Sequence, residues 1–216
     1  MDDDTQRKIQ FIKDWLGTGS INIFGLPMSG KDTVGVKLAE VIGGRFLSSG
    51  LIIRAYEEKT RQNLTENGSL IPSNVFYDWV LPYFDKPELK DFPLILSSIG
   101  RWSGEEDTVM EKAASSGHPI KVVVVLNVSE ADVMERWKAA ASLNDRGARR
   151  DDEKPEVFQK RIEEFHEKTA PVLRHYQSMG LLIDVNADAE REQVFANLID
   201  KLFDYALAHS NSSTEN

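Results

Sequence analysis

A run of β-branched and apolar residues, 20–24, leads without a break into Gly25-Leu26-Pro27-Met28-Ser29-Gly30-Lys31-Asp32-Thr33, and a helical pattern over 34–42 follows at once. A helix after a strand is the usual crossover by which a chain returns to its sheet as a parallel neighbour. Repeated through the chain, such junctions argue an α/β architecture, a parallel sheet covered on both sides by helices. The alternation then repeats. Segments 44–47, 93–96, 122–126 and 181–185 are further strand candidates, about five in all. Every position of 122–126 is apolar, as a strand covered on both faces requires. The clearest helical pattern spans 155–179, where Phe158, Ile162, Phe165, Thr169, Val172 and Tyr176 form one stripe. Pro171 removes a backbone donor inside it, which predicts a kink there. Ahead of the first strand, Ile9, Phe11, Ile12, Trp15 and Leu16 form an amphipathic helix expected to pack on the core.

Two segments fit the alternation poorly. Residues 48–84 form a long helical excursion between the second and third strands, and 141–154 is polar and arginine-rich. Both leave from the edge formed by the carboxyl ends of the strands, where ligands of open α/β sheets sit. They are expected to fold over whatever binds there.

Composition narrows the classes. With 216 residues, 41% of them apolar, the chain has the size and core of one domain, expected over 1–206 with a disordered tail at 207–216. Lysine and arginine total 26 against 35 acids, a net charge of -9, so no broad basic face for nucleic acid is expected. Without cysteine there is no disulfide, thiol nucleophile or iron–sulfur site. His118, His166, His175 and His209 show no metal-ligand spacing and read as surface residues, which leaves protein metal ligands unassigned. No apolar run is long enough for a membrane span, and the acidic start lacks a signal-peptide pattern. A cytoplasmic monomer without membrane partners is expected.

The loop 25–31 has the outline G-x-x-x-x-G-K. Its glycines let successive backbone N–H groups converge on phosphate oxygens, the helix start adds positive potential, and an exposed lysine reaches the terminal phosphates. The usual serine or threonine after that lysine is Asp32, with Thr33 one later.

GLPMSGKDT resembles the phosphate loop of adenylate kinases and related nucleoside monophosphate kinases, G-x-P-G-x-G-K-G-T. Met28 stands at its middle glycine and Asp32 at the glycine after lysine. The likeness continues in order. Residues 48–54, SSGLIIR, are similar to S-T-G-D-L-L-R, and 68–72, GSLIP, to G-x-L-V-P. Residues 94–102 stand where the family has a strand followed by D-G-F-P-R-T; Arg101 alone is kept, and Ser97 replaces the aspartate. Residues 123–136 resemble the family's V-x-L-x-V strand and following E-R. Arg150 with Asp151, Asp152 and Arg161 resembles its lid pattern R-x-D-D…R. The likeness covers about 20–204, and seven of twelve arginines (Arg54, Arg101, Arg136, Arg146, Arg149, Arg150, Arg161) fall at or beside matched motifs.

That resemblance implies a P-loop NTPase-like fold, with 48–84 as the monophosphate-binding excursion and 141–154 as a short lid. It implies transfer of the γ-phosphoryl of ATP, with Mg²⁺, to a nucleoside monophosphate, AMP first among them. ATP would be held by Gly25, Met28, Ser29, Gly30, Lys31, Asp32, Thr33 and Arg136. The acceptor would be held by Ser49, Arg54, Leu70, Ile71 and Arg101. Lys31, Arg101, Arg150 and Arg161 would carry the transfer, with Arg149 competing with Arg150 for the lid register. Glu105 stands four residues after Arg101, where the family reads adenine with a glutamine. A carboxylate offers only acceptors and suits guanine's adjacent N–H donors, although Glu105 equally suits the start of a helix. Asp32 has the same duality: a helix-start acid, or a replacement for the metal-ordering aspartate lost at Ser97. A kinase of neutral alcohols and a non-catalytic nucleotide-binding module remain alternatives. The pair Arg54 and Arg101 argues against the first, and the substitutions at Met28, Leu51 and Ser97 favour the second.

Overall fold

A computed structural model describes residues 2–142 and 154–210. Five strands form one wholly parallel sheet in the order β2-β3-β1-β4-β5: β1 (Ser20–Gly25), β2 (Arg45–Ser48), β3 (Leu94–Ser97), β4 (Ile120–Asn127) and β5 (Leu182–Asn186). Each lies within two residues of the run that the sequence marks. Side chains alternate across the sheet. On one face Ile21, Ile23, Val122, Val124 and Leu126 pack against α1 (Asp3–Leu16), α2 (Lys31–Ile42) and α9 (Arg191–Ser210). On the other, Phe24, Leu94, Leu96, Val123 and Val125 pack against α3 (Ser49–Thr60), α4 (Ser73–Trp79), α5 (Glu106–Ser115) and α8 (Ala170–Ser178). A third cluster joins Leu26 to Val133 and Trp137 of α6 (Glu130–Ser142) and to Phe158 and Ile162 of α7 (Pro155–Glu164). In α1, Ile9, Ile12 and Leu16 are buried, the amphipathic face seen in the sequence.

Four details differ from the sequence reading. Helix α2 begins at Lys31, three residues before the apolar pattern shows it, because Gly30 in a left-handed conformation caps it directly. The helix expected over 155–179 is interrupted by a π-helical turn, Phe165–Thr169, ahead of α8. Pro171 has no N–H for the Glu167 carbonyl and its ring crowds that group, and the wider turn accommodates both. Helix α9 continues to Ser210, so 207–210 are helical rather than tail, since Ala206 still packs on the core and carries the next turn. His118 is 2% exposed, not a surface residue: its Nδ1 lies 2.9 Å from the Thr18 carbonyl, bracing the turn before β1. Among the described residues no helix is long and apolar enough to cross a membrane.

Candidate active site

The loops after β1, β2 and β3 emerge at one edge of the sheet and line two clefts that meet at Lys31 and Asp32. Those two side chains border both.

The loop between β1 and α2 is tight. A Cβ at Gly25 would stand 2.6 Å from Ser29 Oγ and 3.0 Å from the Leu126 carbonyl, so only glycine fits. Ser29 N–H donates to Leu26 O at 3.1 Å, closing the turn. Met28 holds φ 63°, a left-handed conformation that costs a side chain about 1–2 kcal/mol. Its partly buried side chain packs against the cluster of Leu26, Val133, Trp137, Phe158 and Ile162. Lys31 is 8% exposed rather than solvent-facing, because its Nζ turns back to the Leu26 carbonyl at 3.3 Å. Beside it, Ser97 Oγ donates to Asp32 Oδ1 at 2.5 Å.

The second cleft is lined by Met28, Ser29, Gly30, Thr33 and Arg136, together with Lys37, Trp137 and Phe195. Arg136 is fixed by donation to Ala187 O at 2.7 Å. Trp137 stacks on Phe158 with ring centres 5.4 Å apart. Ser29 Oγ is buried without a hydrogen-bond partner.

Gly25, Ser49, Arg54, Leu70, Ile71, Arg101, Glu105 and Arg161 all line the first cleft. Three braces position them. Asn22 in β1 donates to Ile99 O at 2.8 Å and accepts from Ile99 N–H at 3.2 Å, which fixes the loop carrying Arg101. Ser49 Oγ donates to Ser98 O at 2.8 Å and joins α3 to the same loop. Glu105 Oε2 accepts from Arg101 N–H at 2.8 Å and Trp102 N–H at 3.0 Å.

Burial pushes the Glu105 carboxyl above the usual glutamate range, against the Ser73 hydroxyl and the Trp102 and Arg101 amides. The other oxygen, Oε1, is buried without a hydrogen-bond partner. One oxygen of Glu105 therefore serves its own turn, and the carboxylate does not present the two-oxygen edge that suits guanine.

Two cleft residues escape the sequence motifs. Glu164, at the end of α7, is 3% exposed; its Oε2 accepts from Leu70 N–H at 3.1 Å and from Lys168 Nζ at 2.6 Å. Burial alone would raise its carboxyl, but Lys168, the Leu70 amide and Lys160 hold it below the usual range. Trp102 donates from Nε1 to Ile71 O at 3.1 Å, and Lys168 Nζ lies 4.0 Å from its ring centre. Glu164 sits off the apolar stripe of its helix and reads as surface; Lys160 and Lys168, four residues to either side, are the one signal of a buried acid.

Arg146, Arg149 and Arg150 lie outside the described residues. Among the described residues no three histidines or acids cluster as metal ligands.

No protein-family model matches the chain. It is 28% identical over 193 residues to an adenylate kinase of Bacteroides thetaiotaomicron, covering 85% of this chain and 99% of that one. It is 30% identical over 190 residues to an adenylate kinase of Methylobacterium radiotolerans, covering 83% and 93%. Among solved structures, a gluconokinase from Sinorhizobium meliloti superposes with a TM-score of 0.60 at 18% identity, over 90% of this chain and 97% of that chain, a likeness of fold. Ordered sequence likeness over most of both chains, on a five-stranded parallel sheet of this topology, means that the chain belongs to the adenylate kinase family.

Proposed function

We propose that the protein transfers the γ-phosphoryl group of ATP to a nucleoside monophosphate, with AMP as the principal acceptor. The observation that carries this reading is the meeting of two clefts at Lys31 and Asp32. Phosphoryl transfer needs a donor and an acceptor phosphate in line around one cationic centre, and it needs positioning and charge neutralisation more than acid–base chemistry.

In this reading the second cleft takes ATP. The 25–31 loop and Lys31 hold its phosphates, and its base lies by Arg136 and Trp137. The first cleft takes the monophosphate, with 48–84 as its binding excursion. Arg54 and Arg101 grip the phosphate, whose two negative charges suit guanidinium forks. Ile71 and Trp102 form an apolar wall for the base. Arg161, beside Gly68 in the first cleft, stabilises charge on the moving group, and Arg150 would join it from the proposed lid, 141–154. Closure over both clefts excludes water, which keeps transfer from becoming hydrolysis.

The site has hard oxygen donors at the start of α2, Asp32 and Thr33, which fit Mg²⁺ accompanying ATP. Bound there, the ion would neutralise phosphate charge and orient the terminal phosphoryl group.

A coupled assay of ADP formation from ATP with AMP, GMP, CMP or UMP, and with neutral alcohols as controls, tests the reading. Turnover with AMP above the other acceptors is expected. ATP binding without phosphorylation of any monophosphate would assign the chain to a non-catalytic module instead.

A further inference from the structure

Trp102 stands where the motif D-G-F-P-R-T has threonine, and it brings into the first cleft an indole that the motif does not supply. That ring is held from several sides. Its Nε1–H donates to the Ile71 carbonyl at 3.1 Å, and the Trp102 backbone N–H donates to Glu105 Oε2 at 3.0 Å. Lys168 Nζ lies 4.0 Å from the ring centre, and its ammonium donates to Glu164 Oε2 at 2.6 Å. Trp102 and Ile71 line the cleft, and Lys168 does not. The ammonium therefore covers the ring face turned away from the cavity, and the other face is left for a ligand. The polar groups of the segments that hold the indole are engaged within the protein. Leu70 N–H donates to Glu164 Oε2 at 3.1 Å, the Ile71 carbonyl accepts from the indole, and Arg101 N–H shares Glu105 Oε2 with Trp102. Thr65 gives both its N–H and its hydroxyl to Glu57.

We propose that Trp102 is the specificity-determining residue of the acceptor site: it takes the base by stacking, so the site selects purine over pyrimidine monophosphates by ring area and does not read the amino group of adenine. The inference rests on the kinase reading above for the acceptor phosphate, held by Arg54 and Arg101 in the same cleft. Stacking tolerates any edge pattern, because every base has a π-face, and its strength grows with the ring area that overlaps. A site that makes no hydrogen bond to a substituent has no means of rejecting the analogue that lacks it. Adding a donor is different. The 2-amino group of guanine finds no partner on such a wall, and an unsatisfied buried donor costs affinity, which keeps AMP ahead of GMP.

The test is isothermal titration of the wild type, Trp102→Leu and Trp102→Phe with AMP, CMP, UMP and purine riboside monophosphate, which is AMP without its amino group. For the wild type, the purine riboside compound is expected to bind within about fivefold of AMP, and CMP and UMP at least about fivefold more weakly than AMP. Leucine keeps apolar bulk and removes the π-face, so Trp102→Leu should lose about 5–150-fold in affinity for both purines and bring the purine-to-pyrimidine ratio to within about twofold. Phenylalanine keeps a π-face and gives up the bond to Ile71, so Trp102→Phe should keep a purine preference. A merely structural indole would weaken purines and pyrimidines alike and leave their ratio unmoved. Circular dichroism establishes that each variant is folded, and the wild-type series decides if neither is. A loss of more than about tenfold on removal of the amino group, equal wild-type affinity for AMP and CMP, or an unmoved ratio in folded Trp102→Leu overturns the inference while AMP binding leaves the kinase reading standing. If the wild type binds none of the monophosphates, the kinase reading fails, and the inference with it.

Discussion

Glu164 Oε2 accepts the backbone N–H of Leu70 at 3.1 Å, and this hydrogen bond ties the end of α7 to the loop between α3 and α4. Those segments are 94 residues apart in sequence and both line the first cleft. The same carboxylate holds Lys168, which covers the face of Trp102, and Trp102 in turn holds Ile71. One buried acid thus gathers three walls of the proposed acceptor site.

Substituting Glu164 by alanine leaves the Leu70 amide and the Lys168 ammonium without their buried partner. The expected cost is about 1–3 kcal/mol of stability. The acceptor KM should rise at least about tenfold while the ATP KM stays within about twofold, since the second cleft does not use this residue. Steady-state kinetics with thermal unfolding checks both, and backbone amide exchange over 64–71 should quicken. Equal rises in both KM values would mean general loosening instead of a local tie.

Gly68 provides an independent check of the same wall. Its φ is +81°, and a Cβ there would stand 2.6 Å from the Val157 carbonyl of α7. Alanine is expected to lose about 1–3 kcal/mol through backbone strain and displacement of the loop. Acceptor affinity should fall about tenfold, again sparing ATP, which isothermal titration with each nucleotide separates. A Gly68→Ala protein with unchanged acceptor affinity would show that the loop adjusts without moving Leu70 and Ile71.

For Lys31, alanine should lower kcat by about 100-fold or more, because removing a preorganised donor from a charged transition state costs that much in comparable sites. Its ammonium donates to the Leu26 carbonyl at 3.3 Å at the rim of the two clefts and outside the apolar clusters, so Tm should shift by no more than about 5 °C. Single-turnover rates and calorimetry measure the two effects. Near-wild-type turnover would remove the phosphate-loop assignment.

The strands and the glycine-bounded turn between β1 and α2 were readable in the sequence because their causes are local. An unbroken β-branched run such as Val122, Val123, Val124 and Val125 has few alternatives to a buried strand, and a glycine-bounded turn before a helix carries its own geometry. Most residues that line the first cleft, among them Ser49, Arg54, Leu70, Ile71 and Arg101, stand in segments that the family resemblance marks, but the contacts that join them were not readable in the same way. Glu164 is placed by the π-helical turn that follows it and by a partner amide far away in sequence, and neither leaves a periodic mark. Asp32 and Ser97 each read as a departure from the family pattern, and only their contact shows them to be related. Lys31 read as exposed because burial depends on where its flexible side chain folds, which spacing does not encode.

Glu105 supplies the last prediction. Its Oε2 is occupied by two backbone amides, so the side chain shapes the turn that carries Arg101 and Trp102 and does not offer guanine a paired acceptor. The AMP-to-GMP ratio of kcat/KM should therefore favour AMP and change by less than about threefold in Glu105→Gln, since rejection of an analogue by orders of magnitude requires direct pairing with the base. Stability against pH reports the carboxyl itself. Burial raises its folded-state pKa, so its stabilising contribution is complete below the ordinary glutamate value and is lost as pH rises through the raised one. Glutamine does not titrate. The Tm of the wild type minus that of Glu105→Gln should fall as pH rises from the ordinary glutamate value through the raised one and level off above it, whatever constant offset the amide introduces. A difference that stays flat or rises as pH climbs above the ordinary glutamate value would mean that the carboxylate is not held in a desolvated site. A ratio that swings from GMP to AMP on substitution would mean that Glu105 leaves its turn to read the base.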